Sequence, residues 1–395
     1  LGCVLGPFLG AWLCDRFGRR STLIASCALL AVGSIMTAVP NDMVTFNLFR
    51  IVGGVGVGFC SIASPMYTNE IAPARWRGGL GFMYQLAIVI GSVLAAGVAW
   101  LLAKQLEPTM SWRWMFGSEV VFVAIFAVLL FVVPESPRWL VEQGRTEEAA
   151  AVFARIDGPA FAAVEMASVQ ASLTEEKGSF SELFSPGFRK ALGVGLCLAF
   201  FNNFTGWSGI APYLAELFET AGSTRTSSIG QFAIGYGVMG VLAIVACLLV
   251  DRVGRRPLWI ASSAFMVFAT ALTGLIFHLG IGGPWVLLAV SLCAVPHAFA
   301  LGPLPWLMMS EIFPTRLRAR AVAFTTTFLW AIGFTAGSVF PPAEAISQEL
   351  IGSIGGAFWM FSLSSAIAIW FGITALPETK GRTLEQVAKS WQSSS

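Results

Sequence analysis

Two opposite charges, Arg50 and Glu119, stand well inside long apolar runs. An isolated charge in hydrocarbon is costly, so each calls for a partner. Both helices run inward from the same side, and at about 1.5 Å per residue both charges lie roughly 8–10 Å deep. Equal depth and opposite sign predict a salt bridge, or one bridging water, inside the N-terminal half.

A second set of charged residues occurs twice. Asp15-Arg16-Phe17-Gly18-Arg19-Arg20 returns as Asp251-Arg252-Val253-Gly254-Arg255-Arg256. Glu70, with Arg75 and Arg77 after it, returns as Glu311 with Arg316 and Arg318. Pro134-Glu135-Ser136 returns as Pro377-Glu378-Thr379. Three motifs in one order, each about 240 residues apart, mark a duplicated half. An Asp at a helix end followed by a glycine turn and arginines suits contact between helices. The arginines can reach helix C-termini or carboxylates of the same half. Such ion pairs form at one rim and break when halves rock, which is the chemistry of a gate. Asp15, Arg19, Glu70, Arg75, Arg77, Asp251, Arg255, Glu311, Arg316 and Arg318 are the gating candidates.

Enzyme chemistry has no counterpart here. The chain carries no metal-ligand spacing, nucleophile–base pair or phosphate loop, and no cofactor or metal is expected. The seven cysteines sit in apolar runs without CxxC spacing and read as small buried hydrophobes. Gly54-Val55-Gly56-Val57-Gly58 has dinucleotide-like spacing but lies in an apolar run, where it reads as close helix packing.

The elements that must position these residues are membrane helices. The chain is 56% hydrophobic and 12% charged, against about 25% charged in soluble domains. Apolar runs of spanning length occupy 1–14, 21–39, 44–67, 79–103, 114–133, 190–215, 228–250, 258–279, 284–309, 320–341 and 354–376. Basic residues concentrate on alternate connections, which places the DRxGRR loops, the Glu70 and Glu311 loops and the C-terminal end in the cytoplasm. The net charge of +2 gives no nucleic-acid signal. Arg113 and the tryptophans near helix ends read as interfacial anchors. Repeat symmetry predicts about 45 further residues upstream of the first run, holding one whole helix and the start of the next. The stretch 139–188 is more charged than its flanks and reads as a small bundle of cytoplasmic helices. The expected organisation is an N-terminal half 1–138 with five helices, the linker 139–188, and a C-terminal half 189–395 with six.

These residues carry a resemblance. The strings DRFGRR, PMYTNEIAPARWRG, SWRWMF, PESPRWL, DRVGRRPL, GPLPW, SEIFPTRLRA and PETKGRTLEQV resemble a sugar porter of the major facilitator superfamily, across the whole chain and in the family's order. The resemblance implies an all-α membrane protein with the major facilitator fold: two pseudo-symmetric helical halves, eleven of twelve helices present, the first absent. It implies a solute site near mid-membrane built from amides and aromatics. Gln85, Trp306 and Trp330 match such positions. The seventh-helix run reads Asn202-Asn203-Phe204-Thr205-Gly206-Trp207-Ser208, where the family has two glutamines and a later asparagine. Leu329 replaces a glutamine, and His297 stands where xylose porters have phenylalanine. Asn202, Asn203 and Ser208 still form a polar patch, because close helical spacings share a face. In proton-coupled members a first-helix Asp joins Arg50 and Glu119 and carries the proton.

The expected function is secondary active transport of a small polar solute, a monosaccharide or polyol, by alternating access with proton symport. The solute candidates are Gln85, Asn202, Asn203, Ser208, His297, Trp306 and Trp330. The expected partners are the solute, protons and the lipid bilayer, with no nucleic acid, for a monomer in the plasma membrane (the inner membrane in a bacterium). The alternatives are a major facilitator transporter of a non-sugar solute and a non-transporting membrane sensor.

Overall fold

The computed structural model describes residues 1–40, 42–73, 77–174, 180–220, 222–313, 315–380 and 391. Arg75 lies outside the described residues, and so do the side chains of Arg77, Gln85, Asp251 and Arg316, among others. Among the described residues the secondary structure is helical, and nine segments are long and apolar enough to cross a membrane. The chain divides into two compact units, Leu1–Ala87 with Leu106–Ser179, and Ile88–Gln105 with Phe180–Ser395.

The first unit begins with α1 (Gly2–Phe17), α2 (Arg19–Ala38), α3 (Met43–Ile71) and the start of α4 (Arg77–Gln105). After the unit's break come α5 (Pro108–Gly117) and α6 (Glu119–Val132), then α7 (Pro137–Glu142) and α8 (Thr146–Thr174). The glycine-rich run packs α3 against two neighbours at once. A Cβ at Gly6 of α1 would stand 2.6 Å from the Cα of Gly58, and one at Gly33 of α2 would stand 2.6 Å from that of Gly53. Small side chains let helix backbones approach where lipid supplies no hydrophobic drive. Ser26 Oγ donates to the Gly56 carbonyl at 2.7 Å, adding a hydrogen bond to that contact. Arg113 of α5 does more than anchor. Its Nη1 donates to the carbonyls of Ala38, Val39 and Pro40 at 2.8, 2.8 and 3.0 Å, closing the C-terminus of α2 with a positive charge.

The linker helices α7 and α8 share a core of Trp139, Leu140, Val141, Ala149, Phe153, Ala162 and Val169. Gly144 at φ +77 ends α7, with the Arg145 N–H bonded back to Leu140.

The second unit holds the rest of α4, a 3-10 turn Phe180–Phe184, then α9 (Arg189–Phe204), α10 (Trp207–Ile210), a 3-10 turn Ala211–Tyr213, and α11 (Leu214–Thr220). It continues with α12 (Arg225–Val253), α13 (Arg255–His278), α14 (Pro284–Pro296), a π-turn His297–Leu301, α15 (Pro303–Glu311), α16 (Thr315–Ile351) and α17 (Gly355–Thr374). Two of the eleven apolar runs fall short of the spanning length as single helices: α1 and α9 have 16 residues each. For α9 the reason is local. Gly206 sits at φ +130, so the chain turns out of the helix and resumes as α10. A similar interruption falls between α14 and α15, where Pro303 and Pro305 contribute no N–H to a helical ladder.

Candidate transport site

The repeated motifs build the same device in each unit. In the first, Gly18 separates α1 from α2 at φ +95. A Cβ there would collide with Glu135 Oε2, so both the conformation and the space demand glycine. Glu135 accepts from the backbone N–H of Arg19 at 2.9 Å, Arg20 at 3.0 Å and Ser136 at 2.7 Å. It thus fills the N-terminus of α2 with negative charge. Arg19 reaches across to Glu70 of α3 at 2.7 Å, and Ser136 Oγ donates to the other oxygen of Glu70 at 2.5 Å. Arg20 donates to the carbonyls of Leu130 and Phe131 near the end of α6.

In the second unit Gly254 sits at φ +104, with Glu378 Oε2 2.7 Å from the place of its Cβ. Glu378 accepts from the N–H of Arg255 at 3.1 Å and Arg256 at 3.0 Å, and from that of Lys380 at 2.9 Å. Burial pushes the Glu378 carboxyl up, but these donors and the Arg255 charge outweigh it and hold it below the usual carboxylate range. Arg255 pairs with Glu311 at 3.1 Å, and Thr379 Oγ1 donates to Glu311 at 2.6 Å. Arg256 donates to Gly372 at 3.0 Å and to Ile373, near the end of α17. Each unit therefore ends in a cradle that ties four helix ends together.

Asp15 is exposed, and its carbonyl accepts from Trp139 Nε1 at 3.0 Å. Arg318 is half-buried. Contacts of Arg75, and of the side chains of Arg77, Asp251 and Arg316, lie outside the described residues.

The six described solute candidates all fall in the second unit. Asn202 is buried, and its Nδ2 donates to the carbonyls of Leu301 at 2.8 Å and Gly302 at 3.0 Å. Those carbonyls lie at the π-turn. Asn203 is also buried, and its Nδ2 donates to Ala199 at 3.1 Å and Leu329 at 3.2 Å. Both amides spend their two N–H groups on backbone. Their oxygens remain as acceptors, that of Asn203 facing Gly333. Ser208 Oγ donates to the Asn202 carbonyl at 3.3 Å. Trp306 and Trp330 meet edge to face at 6.5 Å. The His297 ring lies 6.3 Å from that of Trp207. His297 Nδ1 and Trp330 Nε1 are buried with no hydrogen-bond partner among the described residues. A buried polar atom left unpaired is expensive, so both atoms call for a partner. The side chain of Gln85 lies outside the described residues.

Arg50 and Glu119 occupy one neighbourhood of the first unit. Arg50 lies within electrostatic reach of Glu119. No ion pair within 4 Å joins them among the described residues; the Arg50 guanidinium instead sits 5.0 Å over the ring of Phe116, and Arg50 is exposed. Phe116 precedes Glu119 by three positions, so ring and carboxylate present to the same side of Arg50.

Comparison with known proteins decides the family. The family model described as "Sugar (and other) transporter" matches residues 1–391. The chain belongs to this family. It is 37% identical over 402 residues to the arabinose-proton symporter of Bacillus subtilis (strain 168), covering 99% of this chain and 84% of that one. It is 30% identical over 415 residues to the D-xylose-proton symporter of Escherichia coli (strain K12), with the same two coverages. Among solved structures it resembles the major facilitator proton:xylose symporter XylE bound to 6-bromo-6-deoxy-D-glucose, at TM-score 0.85 and 30% identity over 99% of this chain and 87% of that one. This sugar transporter family member is therefore a multi-pass membrane protein of the major facilitator fold, and a transporter rather than an enzyme.

Four carboxylate and hydroxyl residues of the transporter's cradles were not among the sequence candidates: Glu135, Ser136, Glu378 and Thr379. The signal for them was present, since Pro-Glu-Ser and Pro-Glu-Thr are one of the three repeated motifs. A carboxylate that caps a distant helix leaves no local periodicity, and only the repeat itself points to it.

Proposed function

We propose that this protein carries a monosaccharide or polyol across the plasma membrane, the inner membrane in a bacterium, in symport with protons. It works as a monomer in the bilayer by alternating access, with 1–138 and 189–395 as the two halves, 139–188 as a cytoplasmic linker, and both cradles on the cytoplasmic side. The observation that carries this reading is a match over nearly the whole chain to named sugar–proton symporters. The site supports it in three ways. Arg50 and Glu119 form a charge couple without a locked ion pair, which leaves the carboxylate free to take and release a proton. His297 and Trp330 present unpaired polar atoms beside aromatic rings, and Gln85, Asn202, Asn203, Ser208 and Trp306 complete the solute-facing set. The gating set is Asp15, Arg19, Glu70, Arg75, Arg77, Asp251, Arg255, Glu311, Arg316 and Arg318, joined by Glu135 and Glu378.

A second reading, transport of a non-sugar solute, is favoured by one observation. The amides of Asn202 and Asn203 spend their donors on the backbone, so fewer groups are left for sugar hydroxyls. Uptake of labelled pentoses, hexoses, polyols and organic acids into proteoliposomes, with and without a proton gradient, separates the readings. Gradient-driven uptake of a sugar or polyol is expected. Uptake of organic acids alone moves the assignment to the second reading.

A further inference from the structure

The turn Phe180–Phe184 joins the linker to α9, and its side chains are split in an unusual way. Leu183 and, just beyond the turn, Phe188 are buried in the core of the second unit. Phe180 and Phe184 are 47% and 52% exposed. The two rings meet at 5.7 Å, and they lie 5.7 and 6.0 Å from the ring of Phe324 on α16. Three aromatic rings thus form an outward cluster where the turn packs on both α9 and α16.

Three cations lie on the helices against which the turn packs. Arg189 and Lys190 open α9 and are exposed, and Arg320 is exposed one helical turn before Phe324, on the same face of α16. Glu182 is the one acid within the turn. Depth follows from the helices. Arg189 stands at the start of α9, and Arg320 at the start of the apolar stretch Arg320–Ile351. Both belong at headgroup level, and Phe324 lies about 6 Å further in. Aromatic rings at the acyl boundary beneath exposed cations are suited to the headgroups of acidic lipids.

We propose that this aromatic and basic foot binds the headgroup of an anionic phospholipid, with the rings at the acyl boundary and Arg189, Lys190 and Arg320 on the phosphate. The proposal rests on the proposed placement of the linker side in the cytoplasm and of the two halves in the bilayer. Lipid retention does not require transport, so failure of the uptake reading and failure of this one are told apart.

The test is native mass spectrometry of the full chain, released from nanodiscs of phosphatidylglycerol and phosphatidylcholine mixed equally. The wild type should retain phosphatidylglycerol preferentially. Each of Arg189→Gln, Lys190→Gln and Arg320→Gln should weaken that preference about fivefold, the worth of one cation near an anionic surface. Arg155→Gln, which removes an exposed cation from α8, should leave it unchanged. Phe180→Ala with Phe184→Ala should also lower retention, in protein that stays monodisperse and helical by circular dichroism. A triple glutamine variant that keeps the wild-type preference overturns the proposal. So does displacement of the lipid by inorganic phosphate with the phenylalanine variants behaving as wild type, because the occupant is then a free anion.

Discussion

The two units end alike and differ in the middle. At the ends, Arg19–Glu70 closes to 2.7 Å with side chains 4% and 11% exposed, while Arg255–Glu311 stands at 3.1 Å with 12% and 22%. The bonds are matched atom for atom, but the first pair is drier. The described residues that follow each Pro-Glu motif also differ. Ser136, fully buried, leads directly into α7, whose Pro137, Trp139, Leu140 and Val141 are buried; Thr379 leads into the exposed Lys380. In the middle the likeness ends. The first unit holds a charge couple over an aromatic ring, and the second a pair of amides, one bonded to the break between α14 and α15 and the other to carbonyls within α9 and α16. The repeated motifs keep one set of bonds at both ends, and the middles diverge, where we propose that one serves the proton and the other the solute.

The largest expected effect tests the ends. Removing one partner of a buried ion pair costs about 3–5 kcal/mol, because the other charge stays behind unpaired. Arg19→Ala should approach that figure, and Arg255→Ala should cost less, nearer 1–3 kcal/mol, because water screens the wetter pair. Thermal unfolding of the two variants in the same detergent checks the order. Equal shifts would remove the asymmetry from the comparison and leave the cradles energetically equivalent.

Next comes the middle of the second unit. Asn202→Ala strips both donors from the carbonyls of Leu301 and Gly302 and should lower stability by about 1–3 kcal/mol. Its effect on transport should follow that loss of structure. His297→Phe removes a polar atom that has no hydrogen-bond partner among the described residues, so it should raise KM for the solute without the stability loss of Asn202→Ala. The reverse pattern, a stability loss in His297→Phe and a pure KM effect in Asn202→Ala, would exchange the two roles.

The middle of the first unit should respond in coupling more than in stability. Arg50 rests on Phe116, a contact worth about 0.5–1 kcal/mol at an exposed site, so Arg50→Ala should unfold only slightly earlier than wild type. Glu119→Gln keeps the shape and abolishes titration. It should flatten the pH dependence of uptake and uncouple it from the proton gradient. A pH profile identical to wild type would take Glu119 out of the proton path and leave the couple a structural feature.

The range of each interaction decides how much of the molecule was legible in its sequence. Membrane helices, the duplication and the family strings are patterns along the chain, and they specify the fold. Gly18 and Gly254 were readable as turn formers, and Glu70 and Glu311 as partners for arginine. The choice of Arg19 and Arg255 as those partners was not readable, because several arginines in each half are within reach of one carboxylate. The asparagines could be placed on a helix, but not their acceptors. Those of Asn202 and one of Asn203's are backbone carbonyls about a hundred residues away; Pro303 and Pro305 mark the interruption that carries the pair bonded to Asn202, but not which side chain reaches it. The expected contact of Arg50 with Glu119, a salt bridge or one bridging water, came from equal depth and opposite sign, and neither fixes the direction in which Arg50 extends across Phe116.

The smallest effect belongs to the carboxylate that caps α13. The Glu378 carboxyl is held below its ordinary value, so the folded state binds its proton less readily than the unfolded chain does. Its contribution to stability is therefore complete above the ordinary glutamate range of about 4.3, and it is lost as pH falls through the lower folded value. Burial opposes this shift while three backbone donors drive it, so the net contribution is modest. Glu378→Gln should lower thermal stability at neutral pH, and the gap from wild type should narrow steadily below about pH 4. Glu135→Gln should cost more at neutral pH, since it empties the drier cradle. Melting curves of both variants between neutral and acid pH measure the two gaps directly. A Glu378→Gln gap that stays constant into acid would mean that the cap works by shape rather than charge, and that the second cradle is held by its backbone donors alone.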